Sequence, residues 1–385
     1  MAAGTQTFAQ IALQLTFSAQ GTDATAIANK LAAATAFTTA LDTTAEIVGY
    51  SGTAAAASAR TWLATVTDVA ETLTAATTAT TLNAAVAAAT VAGTSVAGQP
   101  FTLTTGVDQG ASFVGTSGND TFVAAQVAAG NTWTVGDQID GGAGTDVFNV
   151  TQTAAITMPV SATVKNVETA NLTSGTTANV IDTTTWTGLT ALNVTGVTAQ
   201  TVTAAATTDV AVTGSTATGT TTVNGGKNVT VTETGASGGT VGIGATTAAA
   251  GTVTVNSTIL ATAGSTGNAI TVTGGTAVSV TQKGANAVNT TVTDGAVIVN
   301  GNASTTTVTV SADKAATAAA TVVGHVNGAV TVTDVNAASA TAAGTIATVT
   351  LNNFAAATID SSAISTVNLT GTATILGDRP RFSHE

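Results

Sequence analysis

The sequence predicts a mainly β protein in which a short α-helical N-terminal domain is followed by a parallel β-solenoid. Three observations lead there. Up to about residue 90 the apolar residues recur at helical spacing, and beyond residue 111 they alternate with a period of two. The alternating stretches are short, rich in Val and Thr, and separated by Gly, Asn, Asp and Ala turns, often too close together for a helical crossover. Aromatic residues make up only 3% of the chain while glycines number 40, so the core has to be a regular lattice of small branched side chains.

In the Ala-rich N-terminal part, Trp62, Val66, Val69 and Leu73 read as one apolar stripe of a helix, facing a core. Leu31, Phe37 and Leu41 belong to a second helix, whose start Asp23 would cap. About four helices are expected, with breaks near Gly21, Gly52 and residues 76–81. The run VAGTSVAGQPFTLTTGVDQGA (91–111) loses the helical period and marks the boundary. The expected domains are 1–95, helical; 96–175, the stretch that holds the glycine–aspartate turns described below; 176–377, solenoid; and 378–385, an atypical tail.

Strands are expected at 191–195, 209–213, 228–233, 252–256, 269–273, 277–281, 297–300, 306–310, 329–333, 346–352 and 365–370. A β-sandwich is the main competing fold, but it asks for larger core residues and hairpin turns, and both are sparse. In a solenoid the Val side chains stack inward while Thr faces water, and the open ends are capped or used for assembly.

Charge and composition narrow the function. The 20 acidic residues against 8 basic ones, net −12, argue against nucleic acid or anionic lipid as the main partner. With no cysteine, disulfides and thiolate metal sites are excluded, and His325 and His384 alone cannot make a typical zinc site. The mean hydropathy of +0.40 comes from Ala and Val interleaved with Thr, without the stretch of about 18 apolar residues a spanning helix needs. The start, MAAGTQTF, has no basic n-region and no strong apolar h-region, so no cleavable Sec signal is expected.

The run GDQIDGGAGTDVFNV (136–150) sets three aspartates among four glycines in a chain only 7% charged, and two glycine–aspartate turns stand out. GGAGTDVFN (141–149) matches the calcium nonapeptide G-G-x-G-x-D-x-U-x at every fixed position, and GTSGNDTFV (115–123) departs only at Thr116. Glycines let such a turn bring carbonyls round a hard cation, Asp adds a carboxylate oxygen, and Phe122 or Phe148 anchors the strand that follows. One turn supplies part of the six to eight oxygens Ca²⁺ collects, so a second must add the rest. The motifs start at 115 and 141, too far apart for tandem neighbours of a minimal β-roll but able to stack in a longer rung, with Asp137 and Asp140 adding oxygens. Ordinary Gly/Asp turns are the plain alternative. A paired-carboxylate hydrolase lacks an accompanying His, Lys or Tyr.

The run GTSGNDTFVAAQVAAGNTWTVGDQIDGGAGTDVFNV, followed by VKNVETANLTSG (164–175), resembles the RTX-related, calcium-dependent surface-layer proteins of Caulobacter-type alphaproteobacteria. GNAITVTGGTAVSVTQKGANAVNTTVT (267–293), GHVNGAVTVTD (324–334) and IATVTLNNFAAATIDSSAISTVNLTGT (346–372) are similar to the same family, so the resemblance covers about residues 100 to 377. It implies an RTX-like solenoid that assembles through Ca²⁺ into a two-dimensional lattice on the cell exterior. It also implies that the helical N-terminal domain holds lipopolysaccharide, and that export is by type I secretion with an uncleaved C-terminal signal. It makes Asp120 and Asp146 side-chain ligands, has Gly115, Gly118, Gly142 and Gly144 offer carbonyls, and adds Asp137, Asp140 and Glu168. The helical region is short for that family, and the ending ILGDRPRFSHE is foreign to everything before it, so a truncation or frameshift near Gly377 is expected.

A calcium-stabilised structural lattice, not an enzyme, is the function expected. An adhesin would show a groove or a variable tip. A carbohydrate-active β-helix would need clustered Asp with Lys or Arg, whereas Lys227, Lys283 and Lys314 are scattered singly. Ice binding needs Thr in register on a flat face at constant spacing, and the irregular intervals argue against it. His325 reads as a surface turn residue, and Trp186 as a rung filler rather than a sugar platform.

Overall fold

The computed structural model describes residues 14, 16–94, 97–175, 178–197, 199–214, 219–235, 238–259, 265–284, 291–313 and 324–376. Lys314, His384 and the tail from residue 378 lie outside them. The chain divides into two compact units, Met1–Ala97 and Gly98–Glu385.

The first unit is helical, with helices Thr22–Ala40, Thr44–Gly49, Gly52–Leu63, Ala70–Ala76 and Ala79–Thr94. The expected breaks near Gly21, Gly52 and residues 76–81 are present, with two more at residues 41–43 and 64–69, and two details of capping differ. Gly21, not Asp23, occupies the cap position of the first helix; Asp23 sits inside its first turn, where a carboxylate favours the helix dipole without a capping hydrogen bond. A reciprocal cap forms instead at Thr43, whose hydroxyl accepts from the Glu46 N–H while the Glu46 carboxylate accepts from Thr43.

The Trp62–Leu73 stripe is not one helix. The chain leaves helix at Leu63 and re-enters it at Ala70. Between them, β-branched Thr65, Val66 and Thr67 favour extended backbone, and Thr67 N–H donates to the Thr72 hydroxyl. The turn folds back, so Trp62, Leu63 and Leu73 still pack round buried Val66, while Val69 is exposed. A second small core joins Phe37 to Val86 and Ala89, with the Phe37 ring 5.4 Å from Tyr50 and 5.3 Å from Trp62. Leu31 faces solvent. Among the described residues no helix is long and apolar enough to cross a membrane.

The second unit is a parallel β-solenoid. One sheet climbs from Pro100–Thr102 through Thr121–Val127, Val147–Gln152, Thr169–Ser174 and Ala191–Gly196 to the first halves of Thr348–Asp360 and Thr366–Leu376. A second sheet runs from Asn179–Asp182 through Gln200–Ala204 and Thr220–Gly225 to Val330–Thr333 and Ala357–Asp360. Short pairs such as Gln138–Asp140 with Thr163–Lys165 line a third side. The strands expected at 269–273 and 297–300 have those bounds, and the others agree to within a few residues or lengthen. The strand Thr169–Ser174 pairs directly with Ala191–Gly196, so the rungs on the two sides of residue 175 belong to one stack. His325 lies in a short strand opposite Val292, where the sequence suggested a turn.

Alternation decides which side chains are buried. In the first sheet one inward column passes from Phe122 and Phe148 through Leu192 and Val210 to Val349, and the next from Val150 and Leu172 to Leu351. The core is therefore a ladder of branched aliphatics, one contribution per rung. Trp186 joins it as a filler, 5.7 Å and edge-on from Trp133.

The corner between the two sheets is buried but polar. Asn179, Gln200, Thr221, Glu233, Ser257 and Gln282 point inward there. Asn179, Gln200, Thr221, Glu233 and Gln282 bond one another or nearby backbone: Gln200 Nε2 donates to Thr213 O at 3.0 Å, and Gln282 Nε2 to Gly295 O at 3.0 Å. Glu233, 4% exposed, accepts from the Thr221 hydroxyl. It occupies the space a side chain at Gly214 would fill. Burial raises its carboxyl above the ordinary 4.5, although the Thr221 hydrogen bond acts the other way. A group that ionises less readily when folded leaves stability full below the ordinary value and erodes it as pH rises through the folded pKa. Glu233→Gln keeps an acceptor for Thr221 without the charge. It is expected to match the parent in thermal unfolding at pH 4 and to exceed it at pH 8. A gap that does not widen with pH would remove this account.

Candidate metal centre

The two glycine–aspartate turns stack directly on each other. Thr121 pairs with Val147 and Phe122 with Phe148, so one rung of 26 residues brings the motifs into register. Gly115 N–H donates to Asp140 O at 2.7 Å, Gly141 N–H to Lys165 O at 2.8 Å, and Ala143 N–H to Thr116 O at 3.0 Å. The turns approach so closely that only glycine fits. A β-carbon at Gly141 would lie 2.5 Å from Asp146 Oδ2 and inside the Asn166 carbonyl, and one at Gly142 would meet the Gly115 and Thr116 carbonyls. Gly144, at φ 137°, holds a conformation that side chains disfavour, over the Gly118 carbonyl.

The acids at the strand starts form a ladder between rungs. Asp120 Oδ1 accepts from Gln99 N–H at 2.6 Å, Asp146 Oδ1 from Asp120 N–H at 2.6 Å, and Glu168 Oε2 from Asp146 N–H at 2.7 Å. Asp140 stands beside it, its Oδ1 accepting from Gly142 N–H and from Asn166 Nδ2. Asp120, Asp140, Asp146 and Glu168 thus share one corner.

The two aspartates of the motifs differ in one respect. Asp120 Oδ2 is bound within its own turn by Thr116, whose N–H donates at 2.5 Å and whose hydroxyl lies at 3.1 Å. Thr116 is the one departure from the motif, and its hydroxyl satisfies the carboxylate. In the fully matching turn Gly142 offers no hydroxyl and its N–H goes to Asp140. Asp146 is fully buried, and among the described residues its Oδ2 has no hydrogen-bond partner. Burial raises the Asp146 carboxyl above 3.8; the bond from Asp120 N–H opposes this, and the charges of Glu168, Asp120 and Asp140 add to it. A buried carboxylate oxygen without a donor is costly unless a cation faces it.

The donor set fits a hard cation. It holds carboxylate and carbonyl oxygens and no nitrogen or sulfur ligand, the chemistry of Ca²⁺ rather than zinc. Among the described residues no three His, Asp or Glu side chains meet closely enough to hold a metal by themselves. A cation at Asp146 would take the balance of its shell from peptide carbonyls of the glycine turns, those of Gly115, Gly118, Gly142 and Gly144 included.

Asp137 belongs elsewhere. It sits just before the strand Gln138–Asp140. Its Oδ1 accepts from Asp108 N–H at 2.8 Å and its Oδ2 from Thr134 N–H at 2.6 Å, so both oxygens are used in fastening loops. Asp108 repeats the arrangement one rung earlier, accepting from Thr104 N–H and hydroxyl. Asp108, Asn166 and the Thr116 hydroxyl were not singled out in the sequence. Thr116 appeared there only as the departure from the motif; Asn166 takes a left-handed turn conformation, at φ +50°, that asparagine tolerates. Lys227 and Lys283 are exposed and apart from this corner. Compared with known proteins, the chain matches no family model and no curated sequence.

Proposed function

We propose that the chain is a structural protein, not an enzyme, that assembles with copies of itself into a calcium-stabilised two-dimensional lattice on the bacterial cell exterior. The observation that carries the calcium part is the buried Oδ2 of Asp146, which has no donor among the described residues and lies against the closely packed glycine turns. A stack of like rungs is a stiff, extendable element suited to a lattice. For the helical unit the reading adds anchoring to lipopolysaccharide. Its support is a cleft of about 200 Å³ lined by Phe37, Tyr50, Trp62 and Arg60, whose guanidinium suits a phosphate.

Electron microscopy of the purified chain tests the assembly. Ordered sheets are expected with Ca²⁺, dispersal with chelator, and co-sedimentation with lipopolysaccharide; self-association unchanged by chelator would defeat the proposal. The site itself is tested by melting. An ion present at about 100 times its Kd adds about 2.7 kcal/mol to the folded state. That gain should appear as a calcium-dependent rise in Tm, and Asp146→Asn, which keeps the acceptor for Asp120 N–H, should abolish it. A parent chain whose Tm ignores calcium rules the site out.

A further inference from the structure

Ten successive strands of the first sheet, from Val147–Gln152 to Thr366–Leu376, turn the same two columns of side chains outward. One column runs from Asn149 to Asn368; the other, two residues further along each strand, runs from Thr151 to Thr370. Every position in both columns except Ala211 is threonine, serine or asparagine, and none is buried. The central rungs read Thr230 and Thr232, Thr254 and Asn256, Ser279 and Thr281. Asp209 and Lys283 stand on the same strands in the flanking columns, so the two columns themselves carry neither charge nor aromatic ring.

The unequal intervals that counted against ordered threonines lie in the connections, not in the strands. A rung advances 18 residues between Asn193 and Ala211 and 41 between Thr309 and Thr350, yet each pair is directly in register. Hydrogen-bonded strands stand about 4.8 Å apart, and alternate residues of one strand about 6.6 Å apart. The face is therefore a rectangular net of hydroxyl, carboxamide and methyl groups. Parts of it are locked by bonds along the columns: Asn171 Nδ2 donates to Asn149 Oδ1 and Asn193 Nδ2 to Asn171 Oδ1, both at 2.8 Å.

We infer that this face binds ordered water and attaches the chain to ice. Other partners would need groups the columns lack. An anionic polymer asks for cations, a sugar chain for aromatic platforms, and a protein partner for buried aromatic or Arg anchors. A water lattice asks for uncharged hydrogen-bonding groups and methyls at fixed spacing.

The test uses the purified full chain in calcium buffer. A gap between freezing and melting temperatures and faceted ice crystals are expected. Thr281→Lys, in the middle of the second column, should shrink the gap severalfold. Thr341→Lys, on the exposed loop after Asp334, should leave it unchanged, with circular dichroism checking that both variants fold. Ice that grows as freely as with an inert protein, or a gap that survives Thr281→Lys, overturns the inference. A Thr281→Lys chain that loses self-association in sedimentation, with no effect of the parent on ice, also overturns it and assigns the face to a second copy.

Discussion

Phe148→Ala is expected to lower the unfolding free energy of the solenoid by about 3–5 kcal/mol, the usual cost of emptying a fully buried aromatic site. The ring is 0% exposed and lies between Phe122 of the preceding rung and Ala170 of the next. Trp133 packs edge-on against it at 5.4 Å. Ala170 is too small to close the gap, and Trp133 is itself held by Trp186, so collapse into the void is limited. The loss has a second consequence, because Phe148 follows Asp146 by two residues and fixes the start of the strand that carries the carboxylate. Calcium affinity should fall with stability. Urea unfolding reads the first effect and titration of the Tm against calcium the second. Phe148→Leu should recover much of both. A midpoint for Phe148→Ala equal to that of the parent would show that the site does not depend on this ring.

A comparable loss is expected for Asp334→Ala, far from the metal corner. Asp334 Oδ2 accepts from Thr345 N–H and Ile346 N–H, both at 2.7 Å, and from the Ser361 hydroxyl at 2.8 Å, while Oδ1 takes Asn336 N–H at 3.0 Å. One carboxylate thus ties down the connection between the strands Val330–Thr333 and Thr348–Asp360. Each buried donor left without an acceptor costs about 1–3 kcal/mol, so the total should reach about 3 kcal/mol or more. Burial alone would raise the carboxyl, but the bonds from Asn336, Ile346, Thr345 and Ser361 outweigh it and hold it below 3.8. A depressed folded pKa contributes stability above the unfolded value and loses it as pH falls through the folded one. The difference between parent and Asp334→Ala should therefore be full at pH 7 and narrow only below about pH 3.8, the ordinary carboxylate value. A constant difference into acid would mean that the side chain acts by packing and not by charge.

Particular residues show what the sequence made legible. Strands such as Ala269–Thr273 announce themselves because Ile270 and Val272 are buried and the residues between them are not. The second sheet was less visible at Gln200–Ala204 and Thr220–Gly225. There the inward positions at the corner are Gln200 and Thr221, so polarity no longer distinguishes inside from outside. The Trp62 stripe misled for the opposite reason: a turn happened to preserve helical spacing across a break. At the metal corner the glycine–aspartate turns were readable because their spacing lies within a few covalent residues. The bonds of Asp137 to Asp108 and of Glu168 to Asp146 depend on which rung lies beside which, and rung length follows from connections that have no fixed size.

The acid ladder also gives the solenoid a direction in time. Gln99 N–H waits for Asp120, Asp120 N–H for Asp146, and Asp146 N–H for Glu168. In a chain that emerges amino terminus first, no early rung can be completed by its own residues; each is finished by an acid that arrives one rung later. Closure must then follow the order of emergence, trailing it by a rung, and a pause between Asp120 and Glu168 leaves unclosed the turns that a cation would join.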